Sequence, residues 1–166
     1  VTGVDFSPAM IAAARSKGSA ATFVEADVRE FRDGSHYDLV VMLCEGPLNT
    51  LGQGEDAVAH ALAVLETISE HLAPTGTAVF TALNAYAQIR AMRQEDVDAG
   101  AFNPVTMQAR YANDMVTKAG VQTVCIEERL FLPSELVAMA FHRGLEITAV
   151  YGGTAGNWGQ RTLELD

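Results

Sequence analysis

The chain has 166 residues, 49% of them hydrophobic, and a net charge of −10, so it can bury a real core as one domain. The acidic balance excludes a general nucleic-acid binder, because no broad basic surface is offered to phosphates. No apolar run approaches the length of a bilayer span, so no membrane partner is expected. Cys44 and Cys125 lie far apart with no metal-ligand spacing. No metal is therefore expected, and reduced thiols point to a cytoplasmic protein with Cys44 packed in an apolar strand.

Val1–Met10 reads as the end of a buried strand, an acid at its tip, and a capped helix start. Thr2, Val4 and Phe6 are strand formers, and Ser7-Pro8 is an N-cap followed by proline at the first helical position. Asp5 thus falls where open α/β sheets bind ligands, beyond the carboxyl ends of parallel strands. A carboxylate there can take both hydroxyls of a ribose, or it can simply support the turn. The helix runs to about Lys17, with Gly18 to stop it.

Ala21–Asp27 reads as a second buried strand ending in an acid, completing a βαβ unit. After the Asp33-Gly34 turn comes a third strand, Tyr37–Cys44, whose unbroken apolar run predicts cover on both faces. Glu45–Gly54 is loop. Val58, Leu62, Leu65, Ile68 and Leu72 then mark an amphipathic helix, ended by Pro74 and Gly76. Thr77–Leu83 is the next strand. The alternation predicts a doubly wound, mostly parallel α/β sheet.

Beyond Leu83 the alternation lapses. A short helix within Asn84–Gln94 and a loop to Pro104 precede two strands, Val105–Thr117 and Val121–Leu132, joined around Lys118-Ala119-Gly120 as a hairpin. Ser134 opens a helix closed by Gly144, Leu145–Tyr151 reads as a strand, and Gly152–Gln160 as a glycine-rich loop.

Taken in order, GVDFSPAM, VEADVREF, YDLVVMLCEGPLNTL, HLAPTGTAVF, LFLPSEL and YGG resemble the class I S-adenosylmethionine-dependent methyltransferases of small-molecule type. The resemblance covers nearly the whole chain. It implies a Rossmann-like fold with an insertion over about 84–132, and S-adenosylmethionine as cofactor. It also implies that Asp5 binds the ribose hydroxyls with Phe6 beside the adenine. Asp27 and the backbone of Val28 would meet the adenine amino group, and Cys44 and Glu45 would pass the methionine end. Against the family pattern the glycine-rich turn and first strand are lacking, as is most of the last strand. The expectation is a partial domain, 1–166, inactive on its own.

Methyl transfer is an in-line displacement in which positioning supplies much of the catalysis, so no compulsory catalytic motif is expected. His36, His60, His71 and His142 are expected to be solvated or structural. Glu127, Glu128 and Arg129 on the hairpin either face an acceptor or form a solvated strand face. Tyr86, Arg90, Tyr111 and Trp158 are acceptor-contact candidates with surface packing as the alternative. A nicotinamide-dependent oxidoreductase also places an acid at the second strand tip, and a non-catalytic truncated relative would keep the fold alone. Asp27 and the hairpin favour a methyltransferase with a small-molecule acceptor.

Overall fold

The computed structural model describes residues 1–117, 120–154 and 157–163. Lys118-Ala119 at the expected turn, the side chain of Trp158, and the last three residues lie outside the described part.

The chain opens with β1 (Thr2–Asp5), α1 (Pro8–Ser16) and β2 (Thr22–Glu25). Ser7 accepts the Met10 N–H on its side chain, and Gly18 at φ 67° lets the chain leave the helix. Strands β1 and β2 pair in parallel, with Asp5 opposite Glu25. Next come β3 (Tyr37–Met42), α2 (Gly46–Asn49), β4 (Thr50–Leu51), α3 (Ala57–His71) and β5 (Leu72–Phe80). Asp56 caps α3 by accepting the N–H groups of Val58 and Ala59 at 2.9 and 3.0 Å.

Strand β5 starts at Leu72, five residues before the expected Thr77. Leu72 pairs with Tyr37, then the register slips so that Thr77 pairs with Leu39, and Pro74 sits in that irregular stretch. Gly76 is needed there, because a Cβ would lie 2.8 Å from the Tyr37 carbonyl oxygen.

The remainder comprises α4 (Ala85–Ala91), α5 (Gln94–Asp98), β6 (Phe102–Asn103), β7 (Gln108–Thr117), β8 (Gly120–Arg129), α6 (Pro133–His142), β9 (Gly152–Thr154) and β10 (Asn157–Arg161). Strands β7 and β8 form the expected antiparallel hairpin, shorter at both outer ends than the sequence suggests. With β4 and β6 they make a four-stranded sheet in the order β4-β8-β7-β6.

The main core lies where α3 and α6 pack on β3 and β5, around Leu48, Val64, Leu65, Ile68, Phe131 and Ala140. Truncating one of its fully buried side chains, such as Leu65, to alanine costs about 2–5 kcal/mol. Strands β3 and β5 are parallel, but among the described residues no ladder joins them to β1 and β2.

Three expectations need correction. First, β3 is covered on one face only. Val40 and Met42 pack on the core, while Leu39, Val41 and Leu43 are 53–58% exposed because no described helix lies over them. Second, Leu145–Tyr151 is not a strand. It lines a cavity of about 540 Å³ together with β5, and among the described residues no strand ladder includes it. Third, the glycine-rich stretch after it is not simply loop, because β9 and β10 pair antiparallel. Gly152 allows this, since a Cβ there would lie 2.8 Å from the returning Thr162 carbonyl oxygen.

Candidate functional site

At the tips of β1 and β2, Asp5 lies opposite Glu25, two residues before Asp27, and the Ala26 N–H donates to the Asp5 carbonyl at 3.1 Å. One Asp5 carboxylate oxygen, Oδ1, accepts the Ser7 N–H at 2.8 Å, which fixes the side chain at the helix entry. Its other oxygen has no partner among the described residues, and the side chain is half-buried. The neighbouring Phe6 ring is 80% exposed, although burial would favour so apolar a group. An acceptor and a bare aromatic face therefore stand together, suited to a diol and a flat heterocycle.

Asp27 is differently placed. Its Oδ1 accepts from the Arg29 backbone N–H at 2.9 Å and from Arg29 Nε at 3.0 Å, and Oδ2 accepts from Arg29 Nε and Nη2. These bonds to Arg29 hold the Asp27 carboxyl below its usual value, against the opposing pull of desolvation. Arg29 Nη1 donates to Glu55 Oε1 just before α3. Glu55 Oε2 accepts the Gly52 N–H at 2.7 Å and lies 3.1 Å from His60 Nδ1. Glu55 is also held low, first by the Gly52 N–H and then by Arg29. His60 Nε2 reaches the Pro47 carbonyl oxygen at 2.9 Å, and since a carbonyl only accepts, that nitrogen carries the proton. Val28, beside Asp27, packs its side chain against the main core.

At the tip of β3, Cys44 and Glu45 adopt φ values of 64° and 56°, in the left-handed region that costs side-chain-bearing residues about 1–2 kcal/mol each. The Glu45 N–H donates to Thr81 Oγ1 at 3.2 Å, and its carbonyl accepts from Leu48 and Asn49 in α2. Buried Asn49 donates to the Arg129 carbonyl and accepts the Leu83 N–H, tying this loop to β8 and to the segment that follows β5. Cys44 is exposed, not packed as its apolar context suggests, because β3 ends at Met42 and the chain turns sharply outward.

The six candidates thus fall into two groups. Asp5, Phe6, Asp27 and Val28 share the β1–β2 tips, while Cys44 and Glu45 sit at the β3 tip. Of the six, only Glu45 borders the 540 Å³ cavity, which otherwise follows β5, α6 and the segment after it.

The hairpin acids and Arg129 are not a solvated face. Arg129 is 1% exposed, bonded to Glu135 and stacked 4.8 Å over the Phe131 ring; Glu127 is buried and paired with Arg110. Tyr111 on the hairpin donates to Glu128 at 2.7 Å, and desolvation is the main reason its hydroxyl is pushed up to about 12. Tyr86 is half-buried and Arg90 exposed on α4. His71 is buried between Phe31 and Tyr37, whereas His36 and His142 are exposed. Sequence reasoning missed Arg29, although an arginine two residues beyond an acidic strand tip is within reach of it. Among the described residues, no group of three or more His, Cys, Asp or Glu could hold a metal ion, and no helix is long and apolar enough to cross a membrane.

Residues 1–76 match a family model described as a methyltransferase domain. No curated protein matches the chain. Among solved structures, the chain resembles the CcbJ methyltransferase from Streptomyces caelestis with a TM-score of 0.75 at 18% identity, covering 99% of this chain and 70% of that one. The glycopeptide N-methyltransferase MtfA, solved with S-adenosyl-L-methionine, aligns at 0.64 and 19% identity over 98% of this chain and 68% of its own. CalS10, an amino pentose methyltransferase from Micromonospora echinaspora, aligns at 0.61 and 21% identity over 95% and 70%. At such identities the likeness establishes the α/β fold that these methyltransferases share.

Proposed function

From the match of residues 1–76 to a methyltransferase-domain model, we propose that the protein is an S-adenosylmethionine-dependent methyltransferase acting on a small-molecule acceptor. The observation that carries this is Asp5, a half-buried strand-tip carboxylate with one oxygen committed to Ser7 and the other uncommitted among the described residues. The exposed Phe6 ring beside it fits the adenine of the same cofactor. In this reading Asp5 orients the ribose, Phe6 covers the base, and Asp27 and Val28 close the adenine end. Cys44 and Glu45 border the methionine end, in a left-handed turn held by the Glu45 N–H bond to Thr81.

When bound, S-adenosylmethionine supplies a methyl group on a cationic sulfur, which an acceptor lone pair displaces in line. The chain's own task is to hold and orient, which is where such a reaction gains most. Three solved neighbours are a sugar N-methyltransferase, a glycopeptide N-methyltransferase and an amino pentose methyltransferase, which supports an amine-bearing acceptor of sugar or glycopeptide type. We take residues 1–166 as part of one domain, with 84–132 as an insertion whose β7–β8 hairpin carries acceptor contacts. The cytoplasm is the setting that its free cysteines suit.

Calorimetric titration with S-adenosylmethionine tests the reading. Asp5→Ala removes charge-assisted bonds to the ribose worth about 1.5–3 kcal/mol each, so binding should weaken by tenfold or more. Asp5→Asn keeps an acceptor for Ser7 and should fall between the two. Binding of NADH in place of S-adenosylmethionine would favour an oxidoreductase instead.

A further inference from the structure

The geometry points to Arg29 as a positioning residue for the cofactor site, with Asp27 as its anchor. This rests on the S-adenosylmethionine reading above.

A carboxylate offers about four lone-pair directions. Asp27 directs both oxygens at Arg29, through the backbone N–H, Nε and Nη2. These are three hydrogens, the single Nε–H being shared between both oxygens, so the carboxylate is anchored on Arg29 with one direction still open.

The other arm of the same guanidinium does different work. Nη1 holds Glu55, which takes the Gly52 N–H, and His60 completes the path to the Pro47 carbonyl. One side chain thus spans the β2 tip and the 45–55 segment, which among the described residues share no strand ladder. A planar fork with donors on separate edges can bridge two carboxylates in this way. A lysine ammonium, being a single point, cannot. Arg29 therefore sets the spacing between the adenine side of the site and the loop following Cys44 and Glu45, without touching the cofactor itself.

The experiment titrates the full chain with S-adenosylhomocysteine and with S-inosylhomocysteine, its 6-oxo analogue. Arg29→Met and Asp27→Asn should each weaken both ligands by about tenfold, and the double variant should be no weaker than either single one. In Arg29→Met the ratio between the two ligands should stay at its wild-type value, because Arg29 does not meet the base, and Arg29→Lys should not restore affinity. Loss of that ratio in Arg29→Met, or wild-type affinity in that variant, would overturn the proposal.

A ligand-free arm follows amide exchange. Arg29→Met should speed exchange across residues 45–54 while leaving 61–68 in α3 unchanged. Unchanged exchange in the loop overturns the Arg29 bridge whether or not a nucleoside binds. If the loop responds but the wild type takes neither ligand, the cofactor reading fails and the bridge stands.

Discussion

Asp27 and Glu55 both face the Arg29 guanidinium, and both carboxyls are held below their ordinary values of 3.8 and 4.5. A carboxyl lowered by folding stabilises the folded state fully above its unfolded value, and that contribution drains as pH falls through the lowered one. Arg29 is shifted upward by the same contacts, so its contribution is complete at every pH of interest. Stability from this cluster should therefore be flat between pH 7 and about 5 and fall below about pH 4. Urea unfolding across that range should show a steeper acid loss in the wild type than in Asp27→Asn. Equal slopes would mean that solvent screening at these partly exposed groups cancels the effect.

Among the elements, the junction of β8 and α6 depends on one ion pair. The Arg129 guanidinium is buried, and its Nε and Nη1 find no acceptor among the described residues, so Glu135 is its direct anionic contact. Removing Glu135 leaves a buried cation uncompensated, which costs about 3–5 kcal/mol. Glu135→Ala should therefore lower the melting temperature sharply. The double change Arg129→Met with Glu135→Leu should recover most of the loss, because no charge then remains to be solvated. A double variant as unstable as the single would show that the stacking of Arg129 on Phe131 matters more than its charge.

This junction also marks how far the sequence can be read. Capping residues and apolar periods locate α1, α3, α6 and the hairpin, because those signals are local. Asp5 is legible for the same reason, as an acid at a strand end before a capped helix. Arg129 is not. Its burial goes with the pairing of β8 to β4 and the Asn49 bond to its carbonyl, which arrive from about eighty residues upstream, and nothing near it in sequence announces that. The segment Leu145–Tyr151 fails in the opposite direction, since its composition suits a strand but a strand also needs a neighbour, and among the described residues no ladder includes it.

Across the whole molecule the core is lopsided. Helices α3 and α6 cover one side of β3 and β5, while Leu39, Val41, Leu43 and Val79 form an uncovered apolar stripe on the other. Two copies meeting along that stripe would remove hydrocarbon from water at roughly 25 cal/mol per Å². Opposing this is the net charge of −10, which makes every copy repel its neighbours. The balance is colloidal and set by ions. Screening length falls from about 8 Å at physiological salt to about 3 Å at 1 M, and repulsion shrinks with it while the stripe stays as sticky as before. The second virial coefficient from light scattering should be positive in dilute buffer and change sign as sodium chloride rises. Val41→Lys should keep it positive throughout, and a variant that still associates would acquit the stripe. For this chain, the salt in the buffer decides whether its molecules stay apart.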